Sequence, residues 1–481
     1  MLLDADQCYS ALRTHDARFD GRFFVGVRTT RIYCRPVCTA RTPNREHCSF
    51  FASAAAAEAQ GFRPCLRCRP EMAPGHATVD ANHRLAQAAA DLIEEGRLAE
   101  TGLPGLATAL GVTDRHLRRV FQQEFGVAPI EYAQTQRLLL AKRLLTDTQL
   151  PVIEVAMASG FASLRRFNHL FRTRYRMPPQ QLRREAPQRE ARDGFRFDVA
   201  YRPPYDWAAM MAFLGKRAIP GVEVVTARVY RRTLRIDRDG KAHVGTVDVA
   251  PVPRRDALRV TLSASLAAVL PAVLGRVKHL FDVSCHPEAV AAVLGPLAAN
   301  PGLRLPGCID GFEVAVRAIL GQQVTVRAAT TIAARFAEHF GEPFEGAAGL
   351  QRVFPTPQRI AEASVDEVAA RGIIAARARA IVALAQEIAQ GRLVLERIAP
   401  VEATLAALEN LPGVGPWTAQ YIAMRALGWP DAFPHPDVAT MKAMGLKAAK
   451  EALQAAEAWR PWRAYAVMHL WKSLETEGAL P

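Results

Sequence analysis

No apolar run in this 481-residue chain approaches the roughly 18 residues that a helix needs to cross a membrane. Met1 to Arg13 lacks the cationic start and apolar core of a secretory signal. Cysteine is sparse, eight in all, and Cys8, Cys48, Cys285 and Cys308 are scattered without a pairing pattern. That argues against a disulfide framework and for a reducing cytoplasm. Acidic residues fall short of basic ones, 47 against 61, leaving a formal net charge of +14 and a pI near 9.7. Such a balance favours a polyanionic partner, nucleic acid before membrane. Half the residues are hydrophobic, so three or four domains with sizeable cores are within reach.

What is present begins with four other cysteines, Cys34-x3-Cys38 and Cys65-x2-Cys68, separated by 26 residues. Two short pairs joined by one loop are how a chain offers four thiolates tetrahedrally to one zinc ion. Arg35, Arg41, Arg63, Arg67 and Arg69 crowd the same stretch, which suggests a zinc thiolate that meets an anion, DNA phosphate first. On spacing alone a purely structural zinc module stays open, as do four unrelated thiols.

The chain divides into four parts. Residues 1–72 hold the cysteines, with a turn into a strand over Phe19–Val27 and a helix over Ala52–Gln60 stopped at Gly61. Ala73-Pro74-Gly75-His76 reads as a linker. Residues 82–184 are helical throughout, and a charged, proline-bearing linker runs from Glu185 to about Gly194. Residues 195–305 mix strands and helices, with Val224–Ile236 and Lys241–Val249 joined through Asp237-Arg238-Asp239-Gly240, a hairpin signal, and a further strand over Arg259–Ser263. Residues 306–481 read as helical again. The fold class expected is α+β multidomain: a small zinc-bound α/β module, an all-α pair of helix-turn-helix units, an antiparallel-sheet α+β subdomain and an all-α domain.

The second part repeats. Leu117, Phe121 and Pro129 recur 50 residues later as Phe167, Phe171 and Pro179. Each copy has a short helix, a turn near Gly111 or Gly160, and a longer arginine-rich helix, the proportions of a helix-turn-helix. The second helices, Asp114–Phe125 and Ser163–Tyr175, would carry Arg115, Arg118, Arg165 and Arg166 towards a major groove. A plain helical bundle with a solvated basic face is the alternative.

Near the carboxyl end, Leu411-Pro412-Gly413-Val414-Gly415-Pro416-Trp417-Thr418-Ala419 places two glycines in a tight turn between helices, exposing backbone N–H groups that can grip phosphates. Asp437 follows within Pro434-His435-Pro436-Asp437, where a new helix starts. Taken singly, the first is also a plain turn and the second a helix N-cap.

Three resemblances sharpen these readings. Gly160-Phe161-Ala162-Ser163, Phe167-Asn168-His169-Leu170-Phe171 and Pro178-Pro179 resemble the second helix-turn-helix of AraC-type regulators. Gly26-Val27, Ile32-Tyr33-Cys34-Arg35-Pro36-Val37-Cys38 and Gly61-Phe62-Arg63-Pro64-Cys65-Leu66-Arg67-Cys68 resemble the amino-terminal domain of Ada, a methyl-accepting DNA-repair regulator. That likeness implies zinc held by Cys34, Cys38, Cys65 and Cys68, with Cys34 taking a methyl group from a DNA methyl phosphotriester and Thr30, Arg41 and Arg63 beside the backbone. Methylation would change the site's net charge from about −2 to about −1, relieving repulsion and tightening DNA binding. RNA polymerase is a partner to expect of such a regulator. Ada's second acceptor motif, Pro-Cys-His-Arg, does not occur; Cys285-His286-Pro287 has the wrong order, so direct repair of oxygen-alkylated guanine is not expected.

From about Phe197 onward the chain resembles the AlkA-type 3-methyladenine glycosylases of the helix-hairpin-helix superfamily. The match rests on the glycine hairpin and Asp437, on Arg317-Ala318-Ile319-Leu320-Gly321-Gln322-Gln323-Val324-Thr325-Val326, and on Trp459–Ala466 with His469-Leu470-Trp471. It implies a wedge at Gln323, DNA contacts at Gly413 and Gly415, and a base pocket of Trp417, Tyr421 and Trp471 whose rings favour a cationic base. Alkylated purines already leave readily, so Asp437 would stabilise positive charge developing on the sugar, or else position or activate the water. Bifunctional relatives carry a Schiff-base lysine just after the hairpin; Trp417 stands there, and Lys442 lies elsewhere, so a monofunctional enzyme leaving an abasic site is expected. Two rival readings are a regulator whose glycosylase half only binds DNA, and a glycosylase with a zinc-stabilised anchor.

Overall fold

The structure is a computed structural model describing residues 4–16, 19–73, 81–185, 194–238, 240–347 and 349–476. Pro74-Gly75-His76 and most of the second expected linker lie outside those residues.

The amino-terminal module is built on four strands, β1 Phe24–Val27, β2 Ile32–Cys34, β3 Cys48–Phe51 and β4 Arg63–Pro64, in the order β3-β1-β2-β4. β2 and β4 run parallel and match Ile32 to Arg63 and Tyr33 to Pro64. The next residues along are Cys34 and Cys65, so strand register brings one cysteine of each pair side by side. The helix expected over 52–60 runs Ala54–Ala59 and is capped by Ser53, whose side chain accepts from the Ala56 amide. This short helix is also where the helix-turn-helix units dock. Ser53 Oγ donates to the Phe125 carbonyl at 2.6 Å, and Arg174 donates to the Glu58 carbonyl at 3.1 Å. Glu58's carboxylate accepts from both Tyr33 and Thr135 at 2.9 Å.

Both arginine-rich helices form, Asp114–Phe125 and Leu164–Tyr175, with Thr113 and Ser163 as N-caps. Gly111 and Gly160 in the preceding turns have φ of +67° and +81°, a conformation that only glycine adopts freely. A connector helix, Pro129–Asp147, joins the units; its 19 residues span about 28 Å. The 50-residue repeat has its counterpart in packing: Leu117, Phe121, Phe167 and Phe171 are all fully buried.

The sheet of the third part comprises β5 Phe195–Ala200, β6 Glu223–Val225, β7 Tyr230–Arg238, β8 Lys241–Pro251 and β9 Ala257–Leu262, ordered β5-β9-β8-β7-β6 and antiparallel throughout. The single strand expected over Val224–Ile236 is broken. Thr226 Oγ1 accepts from the amides of Arg228 and Val229, a side-chain turn that folds β6 back onto β7. The last part is not wholly helical either. β10 Glu342–Ala347 and β11 Leu350–Val353 form a hairpin held from outside: Thr233 Oγ1 donates to the Arg352 carbonyl at 2.7 Å, and Gly221 accepts from the Gln351 amide at 2.7 Å.

Packing does not respect the four-part division. Phe161, Phe167, Phe171, Tyr175 and Leu182 of the second helix-turn-helix belong to the same buried cluster as Phe197, Val249 and Val260 of the sheet. Arg143 of the connector donates to the Asp198 carbonyl at 2.7 Å and lies over the Phe197 ring. Among the described residues, no helix is long and apolar enough to cross a membrane.

Candidate functional site

The four motif cysteines converge. Their sulfur atoms all lie within 4.8 Å of one another, with Cys34, Cys38 and Cys65 buried and Cys68 half-buried. Four sulfurs at this mutual distance suit tetrahedral zinc, whose bonds of about 2.3 Å set sulfurs just under 4 Å apart. The arginines around them divide by role, which sequence proximity had hidden. Arg35 is buried in an ion pair with Asp20, donates to the Cys68 carbonyl, and its own amide donates to Cys68 Sγ at 3.3 Å. Arg69 pairs with Glu71 and Asp147. These two brace the module and are not presented to an anion. Thr30, Arg41 and Arg67 are exposed and Arg63 is half-buried, so the external positive face is smaller than the motif suggested.

Arg115, Arg118, Arg165 and Arg166 are exposed on the two second helices, and Arg118 has Asp114 at 3.8 Å one turn back. The connector adds a residue that the sequence did not single out: Arg137 lies close enough to Arg166 and Arg238 to be repelled by both.

One cavity, about 1300 Å³, lies where the zinc module, the end of the connector and β9 meet. Several of its charges are committed to one another, Arg69 to Asp147, Arg259 to Asp198 and Arg35 to Asp20. This is a domain junction that borders the cysteine cluster at Cys68.

A second cavity, about 1050 Å³, holds Asp437, Trp417, Tyr421, Trp471, Gln323 and Gly413 on its walls. Local sequence explains each position. Gly413 has φ +76°, which sharpens the turn between helices Val401–Glu409 and Pro416–Arg425. Gly415 has no such need: its φ is −98°, and a Cβ added there would meet nothing within 4 Å. Asp437 caps helix Val438–Ala443, so the capping role foreseen as an alternative is real. It also does more than cap. Oδ1 accepts from Trp417 Nε1 at 3.1 Å, while Oδ2 accepts from Trp471 Nε1 at 2.8 Å, the Thr440 amide at 2.7 Å and Thr440 Oγ1 at 2.6 Å. Three donors thus crowd Oδ2, and Oδ1 with one keeps an acceptor direction open. Trp417 stacks on Tyr421 with ring centres 5.3 Å apart and planes 9° apart, and Trp471 lies 6.4 Å beyond.

Gln323 follows helix Gly311–Leu320 with φ +54° and is exposed, projecting from a left-handed backbone position. Its neighbour Gln322 was not anticipated as a site residue. Gln322 Nε2 donates to the Gly413 carbonyl and to Thr418 Oγ1, both at 2.9 Å, and its carbonyl accepts from Arg377. The turn that carries Gln322 and Gln323 is thereby tied to the glycine hairpin. Lys442 lines the same cavity. Arg217 and Arg425 line it too, also unanticipated; nothing in their spacing distinguishes them from surface cations.

Four family matches cover most of the chain: the metal binding domain of Ada over residues 7–71, a helix-turn-helix domain over 106–185, the AlkA N-terminal domain over 196–310, and the HhH-GPD superfamily base excision DNA repair protein over 316–459. The chain is 38% identical to the "Probable bifunctional transcriptional activator/DNA repair enzyme AlkA" of Mycobacterium tuberculosis, across 98% of this chain and 97% of the relative. It is also 38% identical to DNA-3-methyladenine glycosylase 2 of Escherichia coli, across 59% of this chain and 99% of the relative. A solved 3-methyladenine DNA-glycosylase from Archaeoglobus fulgidus has the same fold over 59% of this chain and 100% of its own, with a TM-score of 0.51 and 22% identity.

Proposed function

The chain belongs to the family of bifunctional transcriptional activator/DNA repair enzymes named AlkA, and from that premise we propose how its residues divide the work. The carboxy-terminal cavity excises alkylated purines such as 3-methyladenine. The observation that carries this reading is one carboxylate, Asp437, clamped by two tryptophans and Thr440 at the wall of an aromatic cavity that the glycine hairpin also borders. A lesion base turned out of the duplex stacks against Trp417, Tyr421 and Trp471 while Gln323 fills the gap it leaves. As the C1′–N bond breaks, its electron pair leaves with the base and Asp437 faces the positive charge on the sugar. The four hydrogen bonds it already accepts favour charge stabilisation over proton abstraction from water. Water then adds to C1′, and the product is an abasic site. Trp417 at the position after the hairpin supports a monofunctional enzyme; an assay for strand nicking tests that point.

The zinc module fits its metal by sulfur count and spacing. Zinc, when bound there, keeps the thiolates deprotonated near neutral pH. Cys34 Sγ attacks the methyl carbon of a methyl phosphotriester, the methyl–oxygen bond breaks, and its electron pair restores the phosphodiester anion. Cys38, Cys65 and Cys68 hold the site, and Thr30, Arg41 and Arg63 lie along the DNA backbone. The methylated form then binds promoter DNA through Arg115, Arg118, Arg165 and Arg166, with RNA polymerase as its partner, in the cytoplasm. One experiment tests both halves: methyl-labelled, alkylated duplex is incubated with wild-type and Cys34→Ala protein, and freed bases and protein-bound label are measured. Wild type is expected to release 3-methyladenine and retain label, and Cys34→Ala to release the base without retaining label. Label on Cys34→Ala would reject Cys34 as acceptor, and absence of free base would leave a regulator with an inactive cleft.

A further inference from the structure

Tyr421, half-buried on the cavity wall, is wired in the opposite sense to the tyrosines that donate elsewhere in the molecule. Tyr33, Tyr132, Tyr230 and Tyr465 donate their hydroxyl protons to the carboxylates of Glu58, Glu94, Glu223 and Asp282, and Tyr205 donates to the Phe281 carbonyl. Tyr421 instead accepts. Arg425 Nη1 donates to its oxygen at 2.7 Å, and the Arg217 guanidinium lines the same cavity near enough to act on it electrostatically. Among the described residues, the Tyr421 hydroxyl donates to nothing.

The two guanidiniums are also uncompensated. Arg425 spends its other N–H groups on the Pro306 and Gly307 carbonyls, and Arg217 donates to the Phe213 carbonyl at 3.2 Å. No described ion pair gives either one a carboxylate. Phe213 lies between them, 3.9 Å from Arg217 and 4.9 Å from Arg425. The third cation nearby, Arg317, is neutralised by Glu223 and Glu313. A cavity meant only for cationic bases would gain nothing from two unpaired arginines behind its aromatic wall. A hydroxyl whose oxygen accepts from one guanidinium and lies in the field of a second has its own hydrogen left over, and that O–H is a strengthened donor.

We propose that Tyr421 donates this hydrogen bond to the departing base, with Arg425 as the positioning residue that holds its hydroxyl and Arg217 as a second cation that polarises it. The inference rests on the glycosylase reading and adds to it a role specific to uncharged lesion bases. A cationic purine leaves as a neutral molecule and has little use for a donor. A neutral purine such as hypoxanthine leaves as an anion when the C1′–N9 bond breaks and its electron pair goes to the base. Tyr421 keeps its proton and shares it with that anion, which takes a proton from solvent after release. Burial raises a phenol, yet the guanidiniums of Arg425, Arg217 and Arg317 outweigh burial and hold Tyr421 below its ordinary value, the direction that makes a better donor. The other charged groups around the cavity are Asp437, committed to the flanking tryptophans and Thr440, Lys442 and Arg377 on its walls, and the Lys472–Glu475 pair at the rim.

The test is a ratio measured within one preparation, so that loss of folded protein cancels. Single-turnover release of hypoxanthine and of 3-methyladenine is followed for wild type, Tyr421→Phe and Arg217→Gln. Tyr421→Phe is expected to lower the hypoxanthine-to-3-methyladenine ratio at least tenfold. Arg217→Gln is expected to lower it less, and to move the alkaline loss of hypoxanthine release to higher pH, because removing a cation raises the phenol's pKa. Equal loss on both bases, or a wild type that releases 3-methyladenine and no hypoxanthine, overturns the role of Tyr421. A wild type that releases neither base overturns the glycosylase reading beneath it.

Discussion

Replacing Asp437 by Asn is the sharpest perturbation of the cleft, because it removes one unit of charge and almost no volume. Two unit charges about 4 Å apart in a half-exposed site, at an effective dielectric constant of about 20, attract by about 4 kcal/mol. Losing that attraction in the transition state corresponds to about three decades in rate. The hydrogen bonds make a second prediction. Oδ2 has three donors and Oδ1 only one, so the asparagine carbonyl will take the Oδ2 side and its NH2 will face Trp417 Nε1. One donor is left unanswered, at a cost of about 1–3 kcal/mol. Single-turnover release of 3-methyladenine should therefore fall about a thousandfold and the thermal midpoint should drop by several degrees. Affinity for duplex containing an abasic-site analogue should stay within about threefold, since no phosphate contact is assigned to this group. Base release within tenfold of wild type would refute the charge assignment.

Other outcomes rest on the same geometry. Gly413→Ala forces a side chain into a left-handed position and should cost about 1–2 kcal/mol; Gly415→Ala places its methyl in open space, costs under about 1 kcal/mol, and weakens DNA binding more than it weakens the fold. Urea denaturation with parallel gel shifts separates the two, and equal stability losses would deny that Gly415 serves a ligand. Burial pushes Glu58 up from 4.5 to about 7, against hydrogen bonds from Thr135 and Tyr33. Its contribution to stability is therefore complete below about pH 4.5 and lost as pH rises through 7. Glu58→Gln, which keeps the uncharged form, should gain about 3 kcal/mol on wild type between pH 5 and 8; an unchanged difference in urea midpoint across that range would contradict the assignment. Arg165→Ala with Arg166→Ala should lower affinity for promoter DNA and shrink the slope of log K against log salt by about 1–2, with base release unaltered; an unchanged slope would remove these residues from the backbone contacts.

What the sequence disclosed depended on whether the determining contacts were local. Thr113 and Ser163 announce helix starts because capping reaches only three residues ahead. The cysteine pairs are legible because each lies within a single turn. The break at Thr226 escaped notice because the side-chain turn interrupts an otherwise suitable run of β-branched residues. The hairpin at 342–353 escaped because its support comes from Gly221 and Thr233. Arg35 and Arg69 looked like phosphate ligands until Asp20, Glu71 and Asp147, remote in sequence, claimed them. Arg217 and Arg425 are 208 positions apart in number and acquire meaning only on a common tyrosine.

The apolar face that Phe167 and Phe171 share with Phe197 and Val260 means that promoter reader and base remover are not interchangeable cassettes. Lifting out residues 81–185 would bare a greasy wound on both pieces, and each should clump once parted. A molecule seated on its operator carries its cutting cleft in a fixed heading, moored to one address, so lesions elsewhere in the genome fall to copies still at large.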